Sequence, residues 1–296
     1  MKVDPPGGRL GAEISGVDLS RPLDDALFAQ LARAFFDSGV VVFRNQKLTP
    51  AQQIAFTRRF GELEHHVRKE SCLAGFPEIL VVSNLLDEKG QALGVQDAGR
   101  FWHSDLSYKK EPSLLSALYA IEVPLKDGRV LGDTDFASAT AAYDALADGM
   151  KRRLDGLRNV HSYRYYRERN AQAQKAEAAE RGRVVQEHTP SEAQLASVPD
   201  VEMPVVRTHP VTGRKALYVN KGFTRYINGI PRDESDGILH YLYEHMANPL
   251  FQCRFRWQEN SIAFWDNRCV QHHAMWDYWP HTRSGNRVTV KGDRPV

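Results

Sequence analysis

A chain of 296 residues with a formal net charge of +2 can bury one large core and carries no charge excess suited to nucleic acid or a membrane surface. Its 42% hydrophobic and 26% charged content is that of a globular protein in water, and no apolar run approaches the ~20 residues that cross a bilayer. Cys72, Cys253 and Cys269 have no metal-ligand spacing and read as reduced thiols; with no apolar signal core after Met1, a cytoplasmic location is expected.

In chain order, Leu10 to Leu19 alternates loosely as a short strand, closed by Ser20-Arg21-Pro22. A helix is predicted from about Asp24, with Leu27, Leu31 and Phe35 on one face, Asp24 or Asp25 as cap and Gly39 as stop. Val40 to Phe43 is a β-branched strand. The next helix has Thr49 as cap, Pro50 in its first turn and Gly61 past its end. Ile79 to Val82 reads as a buried strand, Asn84 to Gly99 as a polar loop, and Leu114 to Val123 as a core strand. Gly132 to Phe136 enters another strand, followed by one helix from about Ser138 through Leu157.

Residues 163–198 are the least core-like, rich in Arg, Glu, Gln and Ala with Tyr163, Tyr165 and Tyr166 at the start. A helical or lid insertion is expected there. A strand pair is predicted around Val211-Thr212-Gly213-Arg214, a helix over Asp233 to Met246, and strands over Phe251–Trp257, Ser261–Trp265 and Arg287–Lys291. With no break in composition, residues 1–296 read as a single domain. It is mainly β with flanking helices (α+β), of jelly-roll or cupin-like type.

The densest chemistry is in Phe101-Trp102-His103-Ser104-Asp105-Leu106-Ser107-Tyr108. On an extended strand His103 and Asp105, two apart, point to one face and reach one cation. The strongest source of a third ligand is the stretch Trp265 to His273, where His272 and His273 compete because one strand face takes only one of them. Two His and one carboxylate leave the other positions of a metal open, as in non-haem Fe(II) oxygenases. A 2-oxo acid fills two of those positions and dioxygen the third. The co-substrate's second carboxylate needs a fixed cation, and Arg283 and Arg287, four apart and of one parity, both suit one pocket.

Several stretches in order resemble the TauD/TfdA family of Fe(II)- and 2-oxoglutarate-dependent dioxygenases. They run from Leu10-Gly11-Ala12-Glu13-Ile14-Ser15-Gly16-Val17-Asp18-Leu19 through Phe60-Gly61-Glu62-Leu63 and Trp102-His103-Ser104-Asp105. Gly132-Asp133-Thr134, His209-Pro210-Val211-Thr212-Gly213-Arg214-Lys215, Trp265-Asp266-Asn267-Arg268 and Gly292-Asp293-Arg294-Pro295 complete the series. The resemblance implies a double-stranded β-helix and a homo-oligomer. It implies Fe(II) on His103, Asp105 and His272, 2-oxoglutarate on Thr134 and Arg283, and an anionic substrate on Arg287, with His66 and Lys69 as further substrate contacts. The implied reaction decarboxylates 2-oxoglutarate with O2 to succinate and CO2 and hydroxylates a C–H bond of the substrate.

Taurine-oxidising members have an Asn shortly before the metal His and a Tyr after the substrate His, where this chain has Gly99 and Lys69. The short Gly-Gly before Asp-Thr is extended here to Asp127–Gly132. A small carboxylate or sulfonate is therefore expected rather than taurine. The competing readings are a cupin-like hydrolase or isomerase using Zn or Mn at the same ligands without 2-oxoglutarate, and a metal-free binding module.

Overall fold

A computed structural model describes residues 1–4, 10–65, 69–96, 98–169 and 190–296. Its largest layer is an eight-stranded sheet. In spatial order the strands are β1 (Lys2–Asp4), β2 (Ala12–Ser15), β3 (Val40–Phe43), β16 (Ile262–Asp266), β6 (Ser113–Glu122), β18 (Ser284–Lys291), β5 (Phe76–Ser83) and β4 (Cys72–Leu73). A three-stranded sheet holds β15 (Gln252–Phe255), β9 (Thr134–Ser138) and β17 (Val270–Ala274). Smaller pairings complete the fold: β10 (Arg158–His161) between β11 (Val201–Pro204) and β14 (Thr224–Ile227), β12 (Val206–Thr208) with β13 (Lys215–Leu217), and the hairpin β7 (Leu125–Lys126) with β8 (Arg129–Val130).

Period-two alternation decides what packs where. In β3 all four residues are buried, because Val41 and Phe43 face one layer while Val40 and Val42 face the other. The first face joins Leu115, Phe264, Val288 and Val290 under the helices Asp25–Ser38 and Pro50–Thr57. The second meets Phe136, Phe255 and Val270 of the three-stranded sheet across Trp265. Two sheets face to face with helices outside make the cupin-like double-stranded β-helix that the resemblance implies.

The helix ends follow their caps. Asp24 accepts a hydrogen bond from the Leu27 N–H, and Gly39 closes the helix at φ 69°. Thr49 and Gln52 form a reciprocal capping box ahead of Pro50. One expectation needs correction. The single helix through Leu157 is two, Ala139–Asp144 and Asp148–Leu154, because buried Leu146 turns the chain into the core between them. The extension before Thr134 is a β-hairpin whose Asp127-Gly128 turn has both residues at positive φ, as the two-residue hairpin geometry demands. Of the insertion expected at 163–198, residues 163–169 are helical, Glu192–Ala196 forms a short helix, and 170–189 lie outside the described residues.

Candidate active site

The site begins where a loop is stitched to β17. The Gly99 carbonyl accepts from the Ala274 N–H, and His103 and His272 exchange both backbone hydrogen bonds, at 3.2 and 2.9 Å. That single bridge brings the two imidazoles to 4.2 Å between centroids. His103 is therefore not on a regular strand, as the spacing suggested. The chain bends at once: Leu106 takes φ 55° and the Lys109 N–H closes onto the Leu106 carbonyl. It is this turn that swings the Asp105 carboxylate back, its Oδ1 3.6 Å from His103 Nε2.

The three side chains are 5–6% exposed, and their ligand atoms lie within 4.8 Å of one another. His103 Nδ1 donates to the Phe101 carbonyl at 2.8 Å, which leaves the lone pair on Nε2. Burial, then the neighbouring His103 ring, pushes His272 well below the ordinary imidazole range, and its Nδ1 is buried with no hydrogen-bond partner. Burial pushes the Asp105 carboxyl up, but the Arg287 guanidinium and the two histidines outweigh it and hold Asp105 ionised. A neutral imidazole, a second ring nitrogen free of hydrogen bonds and a carboxylate held charged are what a divalent cation requires. His273 points to the opposite face of β17, against Trp102 at 5.6 Å.

Arg287 alternates with core residues Val288 and Val290 on β18, so it faces the site, and its Nη1 donates to Asp105 Oδ1 at 3.0 Å. Its Nε is buried without a partner. Arg283 does not share its pocket, contrary to the parity expectation. It precedes the strand and lines a smaller cavity with Leu131, Leu118 and Trp257. Its guanidinium lies 6.0 Å from the Trp257 ring and 5.7 Å from Tyr278, and no carboxylate among the described residues pairs with it. Gly132 makes room for it: at φ 74°, a Cβ there would meet Arg283 Cδ at 3.0 Å. Buried Thr134 accepts from Trp257 Nε1 at 3.0 Å, which links the two cofactor-binding candidates through one indole.

A cleft of about 130 Å³ opens over His103, Asp105 and Arg287. Phe101, Tyr108, Tyr163, Tyr166 and Phe223 form one of its walls, with successive ring centroids 4.8–6.1 Å apart. Tyr163 and Tyr166 come from the described start of the insertion. Gly222 is what lets Phe101 enter, since a Cβ there would sit 1.8 Å from its ring. Lys109 and Glu64 line the same cleft and pair at 2.6 Å. Lys69 is exposed on a short 3-10 turn, outside the residues lining the cleft, and His66 lies outside the described residues.

Sequence reasoning missed Trp257, Lys109, Ser116 and the part played by Asn267. Only Lys109 had a local signal, as the cation four residues beyond Asp105. The Asn267 amide accepts from the Asp105 N–H at 3.0 Å and donates to Ser116 Oγ at 3.1 Å. Ser116 Oγ in turn donates to Asp105 Oδ2 at 2.6 Å.

Comparison with known proteins identifies the family. The family profile for taurine catabolism dioxygenase TauD, TfdA family, matches residues 2–289. The alpha-ketoglutarate-dependent 2,4-dichlorophenoxyacetate dioxygenase of Cupriavidus pinatubonensis is 33% identical over 294 residues, covering 96% of each chain. The alpha-ketoglutarate-dependent sulfonate dioxygenase of Saccharomyces cerevisiae is 33% identical over 303 residues, which is 100% of this chain and 68% of that protein. The crystal structure of AAD-2 in complex with Mn(II) and N-oxalylglycine superposes with a TM-score of 0.81 at 28% identity, covering 99% of each chain. The chain belongs to the TauD/TfdA family and is an oxidoreductase, a dioxygenase dependent on Fe(II), 2-oxoglutarate and O2.

Proposed function

We propose that the chain hydroxylates a small organic anion with an apolar body, a carboxylate or a sulfonate, using iron held by His103, Asp105 and His272. The observation that carries this reading is the convergence of those three side chains beneath a cleft lined by His103, Asp105 and Arg287. Iron supplies the activation of O2 and the oxidising power. The chain's own residues bind, orient and keep water out.

Arg283, which forms no ion pair with a carboxylate among the described residues, receives the distal carboxylate of 2-oxoglutarate. Thr134 already accepts from Trp257, so its hydroxyl proton is left to donate to the co-substrate. Arg287 spends Nη1 on Asp105 and keeps its remaining N–H groups for the substrate's anion, beside the metal ligands. The aromatic wall takes the apolar body and excludes water from the reacting carbon.

Two features argue against an amino-sulfonate substrate such as taurine. Among the described residues Glu64 is the one carboxylate lining the cleft besides Asp105, and its pairing with Lys109 takes up the charge that an ammonium group would need. Gly99 at φ 80° presents bare backbone, and a Cβ there would meet the Ala274 Cβ at 3.1 Å. The reading extends to a homo-oligomer, which sedimentation checks separately.

The test is succinate release with Fe(II) and 2-oxoglutarate in the presence of 2,4-dichlorophenoxyacetate, hexanesulfonate or taurine. Stimulation by the first two is expected. Taurine as the best substrate would overturn the apolar-body assignment, and hydrolysis of an ester without 2-oxoglutarate would favour the cupin-like hydrolase instead.

A further inference from the structure

The loop that carries Asp105 is tied down by a closed ring of hydrogen bonds running in one direction. The Asp105 N–H donates to Asn267 Oδ1 at 3.0 Å, Asn267 Nδ2 donates to Ser116 Oγ at 3.1 Å, and Ser116 Oγ donates to Asp105 Oδ2 at 2.6 Å. The backbone donor fixes which way the Asn267 amide faces, and the amide N–H2 fixes the Ser116 hydroxyl. That hydroxyl has one proton. With a donor already pointing at its oxygen, the proton is committed to Asp105. All three residues are buried, with Ser116 at 0% and Asn267 at 1% exposure, so water does not compete for these bonds.

The two oxygens of Asp105 are thereby made unequal. Oδ2 is turned into the protein and accepts a short charge-assisted bond from β6. Oδ1 is the oxygen near His103 Nε2 and the Arg287 guanidinium. A carboxylate can meet a cation through one oxygen or through both. A six-position metal with two imidazoles and one oxygen keeps three positions, enough for a chelating 2-oxo acid and dioxygen. A second carboxylate oxygen would leave two, and the co-substrate would fill both.

We propose that Ser116, oriented by Asn267, is a positioning residue that holds Asp105 as a one-oxygen ligand and so keeps a position on the metal free. The inference rests on the assignment of His103, Asp105 and His272 as the ligands. It reaches beyond that assignment to residues that touch neither metal nor co-substrate. The ring spans three remote parts of the chain: the loop after Phe101, the middle of β6 and the residue following β16. Ser116 pairs with Trp265 on one neighbouring strand and with Thr289 on the other, so its backbone is fixed from both sides.

The experiment compares wild type, Ser116→Ala and Asn267→Ala, loaded with Co(II) for affinity and with Mn(II) for crystallography. In wild type, one Asp105 oxygen is expected at the metal. In Ser116→Ala both oxygens are expected there, and 2-oxoglutarate affinity by calorimetry falls about tenfold or more while Co(II) affinity in dialysis changes by much less. Asn267→Ala shifts the same way by a smaller factor. A merely structural role would weaken metal and co-substrate binding in parallel, or move the melting temperature and neither affinity; either result overturns the proposal. So does a wild type in which both oxygens reach the metal. Failure of wild type to bind Co(II) through Asp105 would instead overturn the functional reading beneath it.

Discussion

Two buried carboxylates, Asp105 and Asp266, stand in this protein beside a histidine and an arginine each, and they have opposite fates. Asp266 accepts from Arg268 N and Nε on Oδ1, and from Arg268 Nη2 and His209 Nε2 on Oδ2. His209 Nδ1 accepts from the Val211 and Thr212 N–H groups, so its ring is also fully used. Cys269 completes a metal-like grouping there, yet burial pushes its thiol well above the ordinary range, away from a ligating thiolate. Around Asp105 the pairing stops short: His272 Nδ1 and Arg287 Nε are buried without partners beneath a cleft. Polar groups left unpaired in a buried site are expensive, and they persist where a ligand completes them. The comparison separates a structural cluster from a reactive one, although both are built from His, Asp and Arg.

The contrast is sharpest under alanine substitution. Asp105→Ala is expected to abolish Fe(II)-dependent succinate formation, a loss of about 10³-fold or more, equivalent to ~4 kcal/mol, with a smaller loss of stability than at Asp266 because Asp105 borders the cleft. Asp266→Ala does the reverse. It strands Arg268 and His209 in the core and costs about 3–5 kcal/mol of stability, read by denaturant unfolding. Equal unfolding of both variants would erase the distinction.

A smaller effect is expected at the co-substrate end. Arg283→Ala removes a charge-assisted contact worth about 1.5–3 kcal/mol, raising the KM for 2-oxoglutarate roughly 10- to 100-fold while the KM for the organic substrate moves little. Parallel rises in both would place Arg283 elsewhere in the mechanism.

Another buried histidine sharpens the structural side of the comparison. Burial pushes His161 down to about 4, against weaker opposition from backbone hydrogen bonds that include Ser107. The unfolded chain protonates near pH 6.5 and the folded one does not, so stability is full above that pH and falls as pH drops toward 4. The loss at pH 4.5 is about 2–3 kcal/mol, and His161→Gln is expected to flatten the slope of unfolding free energy between pH 7 and 4.5. An unchanged slope would assign the acid sensitivity elsewhere. The smallest effect separates two lysines: Lys69→Ala leaves substrate KM within about twofold, as an exposed charge should, whereas Lys109→Ala frees Glu64 in the cleft and changes it more.

Much of this was legible in the sequence because it is carried by short-range pattern. The caps Asp24, Thr49 and Gly39 act within one turn, and β3 declares itself by four apolar residues in a row. The candidate ligand residues stood out through the His-x-Asp spacing and the downstream His pair. What was not legible depends on contacts remote in sequence. The extended geometry expected for His103 and Asp105 gave way to a bridge and a turn, because a single pairing with β17 holds the loop. Nothing local to Ser116 says that it faces a carboxylate eleven residues earlier, or that Asn267 orients it. Arg283 and Arg287 share parity, but Arg283 falls just before the strand begins, where parity no longer fixes direction.

The most direct test is Mn(II) binding by equilibrium dialysis to wild type, Asp105→Ala and His209→Ala. One Mn(II) per chain in wild type, lost in Asp105→Ala and kept in His209→Ala, is the predicted result. Retention of the ion in Asp105→Ala, or its loss in His209→Ala with the fold intact, would contradict the assignment of the metal to His103, Asp105 and His272.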